Sequence, residues 1–363
     1  MSETRQPLTY AAAGVDTAKA NAALTAMMVH FRQTHNQYML DADGQPFAAP
    51  MALGRMLKDL RIWPDQAVLS ATVDSAGTIP QEAVLALDFF PEGMVNTAYN
   101  VAAHCCADIA CGGLTPFMFL DMITSTDMNP AINELISQGI TDACLELDPP
   151  VMVVGGELAQ CPGTMAEGQY DIIGFAIGMG DEVWRIKPTE RVKPGHVIVG
   201  YKVGFHMING SSLIRRVLKV AGLGIKDIFP PTGKTVAESL LQRQPNWAKM
   251  VMAQMNAGIK LSANSHITGG GMPDNISRNL PEGCRAVIDL SNWKVPDFFT
   301  WLMETGPVEP QEAFAKFNMG IGFVQIMPRM EADRATLMIA DPMGFTPYHL
   351  GEIVEGERGV EFI

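Results

Sequence analysis

The stretch His266-Ile267-Thr268-Gly269-Gly270-Gly271-Met272-Pro273-Asp274-Asn275 places an imidazole and a hydroxyl ahead of three consecutive glycines. Consecutive glycines leave backbone N–H groups bare, so that they approach an anion or a ring closely and take φ > 0 where a turn requires it. A plain tight turn uses the same residues. Other groups in the chain favour a binding loop. Asp74 follows a short apolar run and opens the small-residue turn Ser75-Ala76-Gly77-Thr78. Asp108 sits in an otherwise apolar stretch, where an isolated carboxylate is very costly without a partner or a metal. Glu157 directly follows Gly155-Gly156, and a carboxylate beside bare backbone suits a Mg²⁺ that holds a nucleotide. His206 precedes Asn209-Gly210 and a segment bearing Arg215, Arg216 and Lys219. A glycine turn opening such a helix offers N–H groups and the helix dipole to an anion. Taken singly, Asp74 and Glu157 serve equally well as turn or cap residues, and each histidine as a satisfied structural group.

The elements that must position these groups alternate between helix and strand. Residues 18–33 read as an alanine-rich helix capped by Asp16 or Thr17, residues 35–50 as a polar loop and 51–60 as a second helix. Residues 67–73 have the β-branched character of a buried strand. An apolar helix over 96–111, a strand over 117–123, a helix over 130–142, a strand over 150–154 that feeds Gly155-Gly156-Glu157, and a strand over 170–179 follow. Charge and turn residues over 180–195 mark a boundary. Beyond it come a strand at 196–202, the basic helix, helices at 235–241 and 245–257, a strand at 284–290 and an amphipathic segment at 295–305. This is an α/β pattern in two domains, residues 1–180 and 181–363.

Composition narrows the function classes. A chain of 363 residues exceeds what one core usually supports. With 47% hydrophobic and only 18% charged residues, it buries a large surface or shares some with a second copy. A net charge of −13 with no Lys/Arg cluster disfavours a nucleic-acid or anionic-membrane partner. There is no apolar run long enough to span a bilayer and no signal-peptide pattern at the start, so the expectation is a cytoplasmic protein. The six cysteines lack paired C-x-x-C spacing and read as reduced core thiols.

In order and spacing these stretches resemble the aminoimidazole ribonucleotide synthetase family, also called phosphoribosylformylglycinamidine cyclo-ligase. The resemblance runs over nearly the whole chain, through Thr9-Tyr10 with Ala13-Gly14-Val15-Asp16, Ala107-Asp108 with Gly113, Phe119-Leu120-Asp121, and Val154-Gly155-Gly156-Glu157 with Pro162-Gly163. It continues through His206 with Asn209-Gly210, His266 to Gly271 with Asn275, and Phe317-Asn318-Met319-Gly320-Ile321-Gly322. It implies a two-domain α/β fold in a homodimer, the N-terminal sheets of two subunits pairing into a barrel. The implied reaction uses ATP and Mg²⁺ to close an imidazole ring on a phosphoribosyl amide. By motif position Asp74, Asp108 and Glu157 would be the metal and ATP carboxylates, with Thr78, Gly155 and Gly156 beside the nucleotide. His206, His266 and Asp108 would be catalytic. Asn209, Gly210, Thr268, Gly269, Gly270, Gly271 and Asn275 would line the substrate cleft.

Departures from the family cluster around phosphate handling. The usual Asp-Gly-Val-Gly-Thr-Lys turn is Asp74-Ser75-Ala76-Gly77-Thr78-Ile79, without its lysine. The acid eight positions before Asp108 is Asn100, the asparagine one position before it is Ala107, and the usual Glu after Gly-Gly-Glu-Thr-Ala is Gln160 in Gly155-Gly156-Glu157-Leu158-Ala159-Gln160. Losing a full charge and three donors at a phosphate site is not a conservative change. The chain is therefore expected to be either a cyclo-ligase with rebuilt phosphate contacts or a diverged paralogue with altered or lost ATP chemistry, including a regulatory dimer.

Overall fold

Two sheets, one of four strands and one of six, organise the computed structural model, which describes residues 17–35 and 67–363. The first comprises β1 (Ala67–Ser75), β2 (Thr115–Ser125), β3 (Met152–Gln160) and β4 (Tyr170–Asp181), in the order β1-β4-β2-β3. β2 and β3 run parallel; the other neighbours are antiparallel. Helices α1 (Thr17–Phe31), α2 (Pro80–Ala86), α3 (Glu92–Cys111) and α4 (Pro130–Leu145) accompany it, and α3 packs on β4 and β1. The α3 helix comes close because its sheet-side residues are small, with Ala98, Ala102, Cys105 and Cys106 fully buried. Opposite them, Gly174 and Gly178 of β4 leave room for Val101 and Ile109. Pro130 at the start of α4 and the Asn129 side chain, which accepts from the Ala131 N–H, fix that helix's N-terminus.

Two expectations about this sheet are corrected. Residues 67–73 do not form a fully buried strand: Leu69 is 48% and Val73 63% exposed. Among the described residues helices cover one face only, so alternate residues on β1 stand on an open face there, joined by Met122 of β2 and Phe175 of β4. Nor does the third strand stop at Val154. It continues through Gly155, Gly156 and Glu157 to Gln160, paired with β2. Gly156 is required there because a Cβ would collide with the Asp121 side chain. The expected loop beyond His35, the helix at 51–60 and the motif at 9–16 lie outside the described residues.

Asp121 is buried on the helix-covered face, its Oδ1 without a hydrogen-bond partner, and burial pushes its pKa up to about 7. Its carboxyl is neutral in the fold but ionises near its ordinary value of 3.8 when the chain unfolds. The stabilisation is thus complete below that value and lost as pH rises to about 7, a swing on the order of 4 kcal/mol. Urea unfolding should therefore show Asp121→Asn gaining on the wild type between pH 4 and pH 8. A constant difference between the two proteins across that range would refute the assignment.

The second sheet comprises β5 (Val197–Lys202), β6 (Ala263–His266), β7 (Cys284–Ile288), β8 (Ile321–Met327), β9 (Pro347–Glu355) and β10 (Gly359–Phe362). Its order is β10-β7-β9-β5-β8-β6, antiparallel except for β10 with β7. Every residue of β8 is buried. Helices α5 (Ser211–Ala221), α6 (Trp247–Asn256), α7 (Gly271–Ser277), α8 (Asp297–Thr305) and α9 (Pro310–Lys316) complete the part that matters for the site. All six cysteines are free thiols.

The two halves meet along one stripe of α3. Asn96, Asn100, His104 and Asp108 recur every fourth residue, so they share a helix face. The Asn96 amide donates to the Leu241 carbonyl at 2.8 Å, and the Asn100 amide to the Gln242 carbonyl at 2.8 Å. Asn100 Oδ1 also accepts from the Gln244 N–H at 2.8 Å. An aspartate at position 100 could accept that second bond but not donate the first, which gives the Asn100 departure a structural reason. A second tie is Arg215 on α5, which forks onto the buried Glu82 carboxylate at 2.6 and 3.0 Å and onto the Thr78 carbonyl at 3.0 Å.

Candidate functional site

At the C-terminal end of the α3 stripe, two carboxylates and two imidazoles converge. Asp108 Oδ1 accepts from His266 Nδ1 at 3.1 Å. Asp74, at the end of β1, places Oδ2 2.8 Å from His104 Nε2, and Asp108 Oδ2 lies 4.0 Å from the same nitrogen. The two imidazole centroids are 4.2 Å apart. Asp108 thus has the partners that its position in an apolar helix demanded.

Charge follows from this geometry. Burial disfavours a charged His104, but its hydrogen bond with Asp74 and the field of Asp108 outweigh that and hold its pKa above the ordinary value. Burial and the neighbouring His104 charge push His266 below its ordinary value, in spite of Asp108. Burial would raise both aspartates, yet the histidines hold them below the usual carboxylate range. The cluster thus favours the charged form of His104 between two carboxylates and the neutral form of His266 beside Asp108.

Two clefts open from this point and share Asp74. One, of about 350 Å³, is lined by Asp74, His104, Asp108, His266, Thr268, Asn275 and Arg278. The other, of about 490 Å³, is lined by Asp74, Thr78, Asn209, Gly210, Gly269, Gly270 and Lys316. The glycine segment is a loop only as far as Gly270; α7 starts at Gly271, where a continuing turn was expected. Asn275 holds the loop from within, its amide donating to the carbonyls of Gly271 at 2.8 Å and Gly269 at 3.2 Å. The N–H groups of Gly269 and Gly270 have no acceptor among the described residues and border the larger cleft. Gly210 has φ of 87°, and a Cβ there would strike the Phe317 ring.

His206 and Glu157 are corrected. His206 does not line either cleft. It is 1% exposed, stacks on Phe298 at 5.9 Å and sets Nε2 3.2 Å from Ser211 Oγ. Burial pushes its pKa down to about 3, so it stays neutral at neutral pH and is a poor proton acceptor. Its place is behind Ser211, which does line the larger cleft. Glu157 pairs with Met122, whose side chain stands on the open face, whereas Asp74 turns toward α3. Neighbouring strand residues face opposite ways, and three strand spacings of about 4.8 Å separate β1 from β3. Within one chain, Gly155, Gly156 and Glu157 therefore do not join Asp74 and Asp108.

Three contributors escaped the sequence reading. His104 lies four residues before Asp108, the spacing that puts two side chains on one helix face, and that spacing was the available signal. Arg278 and Lys316 supply cations to the two clefts. Arg278 directly follows α7, three residues after Asn275, whereas Lys316 reaches the larger cleft only through the packing of α9. Ile79, in place of the family lysine, is buried in the core.

Two α/β halves thus meet at a carboxylate–histidine cluster with a glycine loop beside it. The chain belongs to the AIR synthase related protein family, matching its N-terminal domain over residues 61–180 and its C-terminal domain over residues 193–363. It is 31% identical over 353 residues to the phosphoribosylformylglycinamidine cyclo-ligase of Parasynechococcus marenigrum, covering 97% of this chain and 98% of that one. It is 33% identical to the Staphylococcus carnosus enzyme of the same name over 347 residues, 95% of each chain. Among solved structures, the E. coli hydrogenase maturation protein HypE aligns with a TM-score of 0.65 at 15% identity, covering 94% of this chain and 93% of that one. A HypE complex with ATP gives 0.63 at 15% identity, covering 96% and 92%. Thiamine-monophosphate kinase from Stenotrophomonas maltophilia gives 0.60 at 13% identity, covering 93% and 95%. These structural likenesses establish the shared fold.

Proposed function

We propose that this chain is an ATP-dependent cyclo-ligase that closes the imidazole ring of formylglycinamidine ribonucleotide, yielding aminoimidazole ribonucleotide, and that it works in the cytoplasm as a homodimer. The observation that carries the reading is the convergence of Asp74, Asp108, His104 and His266 beside the glycine loop. Near-full-length identity to relatives bearing that name supports it. So does the fold shared with a protein solved in complex with ATP. No helix among the described residues is long and apolar enough to cross a membrane.

In this reaction the γ-phosphoryl group of ATP passes to the formamide oxygen, an amidine nitrogen attacks the activated carbon, and phosphate leaves with that oxygen. Such chemistry depends on positioning and charge neutralisation. Asp74 and Asp108 are the carboxylates that would hold Mg²⁺, which would neutralise the phosphates. Lys316, with the free N–H groups of Gly269 and Gly270, takes over the phosphate contacts that the missing lysine leaves open. Thr78, Asn209 and Gly210 line the same cleft as the nucleotide's bed. Thr268 and Asn275 shape the smaller one, where His266 with Asp108 accepts the proton shed by the attacking nitrogen. Residues 1–180 would supply the carboxylates and residues 181–363 the loops.

The open face of the first sheet supports the dimer, since Leu69, Val73, Met122 and Phe175 form an apolar surface that a second copy would cover as a barrel. Glu157 and its glycines would then belong to that barrel. Sedimentation should give twice the 39.3 kDa chain mass, and Val73→Asp should reduce it to the monomer. A monomeric wild type would remove this part of the proposal. Purified protein should release ADP only when ATP, Mg²⁺ and formylglycinamidine ribonucleotide are all supplied. ATP binding without such turnover would favour the regulatory dimer instead.

A further inference from the structure

The segment between β4 and β5 and the turn between α6 and β6 enclose a third cleft, of about 600 Å³, which shares no lining residue with the two at the carboxylate–histidine cluster. Its charge runs against that of the chain. In a protein of net charge −13, the cations Arg191, Lys193 and Lys260 line it with a single acid, Glu190, which lies 3.9 Å from Lys187. None of the three cations is ion-paired among the described residues. Arg191 is held across the cleft, Nη1 donating to the Leu261 carbonyl on one wall and Nη2 to the Val183 carbonyl on the other, both at 3.3 Å. Those bonds fix the guanidinium plane and leave further N–H donors for an anion. Beside it Trp184 is 63% exposed, although indoles are on average well buried. His196 lines the same cleft, and its Nδ1 is shut off from solvent without a hydrogen-bond partner.

We propose that this cleft is a second ligand site, separate from the reaction cleft, for a nucleoside monophosphate whose base stacks on Trp184 and whose phosphate meets Arg191, Lys193 and Lys260. An open indole supplies the flat apolar face that a base needs, and a pinned guanidinium with two unpaired ammonium groups supplies charge-assisted donors to phosphate. The volume is that of a small-molecule pocket. Both walls lead to the cluster. The Ile186 N–H donates to the Gly112 carbonyl at the end of α3 at 2.9 Å, and Leu261 leads into β6, which ends at His266. A ligand gripping both walls would tie together the two elements that carry Asp108 and His266. The site does not depend on the reaction proposed above, and its readouts need no turnover.

The test titrates the full chain with AMP and follows tryptophan fluorescence. AMP should quench it, and Trp184→Leu should remove the quenching. Replacing Lys193 and Lys260 together by Glu should weaken AMP binding by about tenfold or more. All three side chains are exposed, so these substitutions remove no core packing. Adenosine and ribose 5-phosphate, each carrying half of the ligand, should both bind more weakly than AMP. Hydrogen exchange of the wild type, which needs no variant to fold, should show AMP protecting residues 183–193 and 257–262. Protection confined to residues 74–78, 209–210 and 268–271 would put AMP in the reaction cleft alone and overturn the proposal. So would no binding at millimolar AMP, ribose 5-phosphate binding as tightly as AMP, or unchanged affinity in the charge-reversed protein. A chain that closes no ring would leave these readouts intact, so failure of the catalytic reading and failure of this site are distinguishable.

Discussion

Asp108→Asn should lower substrate-dependent ADP release by about 10²–10³-fold, the scale found when one preorganised electrostatic contact is removed from an active site. The exchange is isosteric, and Asn Oδ1 can still accept from His266 Nδ1, which keeps the 3.1 Å contact geometrically possible. What disappears is a negative charge. His104 loses one of the two carboxylates that favour its imidazolium, a cation loses a ligand, and the His266 pair loses its pull on a departing proton. Thermal unfolding should change little, because no packing volume is lost. A variant that melts like the wild type yet turns over within a factor of ten of it would show that the charge at 108 is not part of the chemistry.

Gly271→Ala should do comparable damage by a different route. Gly271 opens α7 with φ of 61°, and a Cβ there would run into the carbonyl oxygen of Phe314 on α9. Both atoms belong to backbone, so neither can rotate away as a side-chain end would. The left-handed conformation alone costs an alanine about 1 kcal/mol, and relieving the clash means parting α7 from α9. We expect at least ~3 kcal/mol of lost stability, read by urea unfolding, together with loss of turnover as Asn275 and the glycine loop shift. A Gly271→Ala protein with full stability would mean that the α7–α9 approach is not as close as described.

Much of this architecture is written in local pattern. The helix at 17–31, the strands at 67–75 and 115–125 and the helix at 130–145 follow from alanine content, β-branched runs and the Asn129-Pro130 start. The requirement that Asp108 find a partner also follows from burying one carboxylate in an apolar helix. What could not be read was facing. Glu157 sits on the opposite side of the sheet from Asp74 because of strand register, including a bulge between Phe119 and Leu120 that no local signal announces. His206 looked chemical beside Asn209-Gly210, yet the Phe298 ring that buries it is contributed from more than ninety residues away. His104, and Arg278 three residues after Asn275, were within reach of a helical-spacing argument, whereas the cation at 316 depends on how α9 docks.

In the proposed reaction the inter-domain cleft activates an amide oxygen with phosphate from ATP. Substrate carrying ¹⁸O in its formamide group tests this most directly. The oxygen should leave the carbon bonded to phosphorus, so mass spectrometry of the released phosphate should find one ¹⁸O atom for each ring closed. Unlabelled phosphate, formed while the ring still closes, would mean that this oxygen is never phosphorylated and that the ring closes by another route.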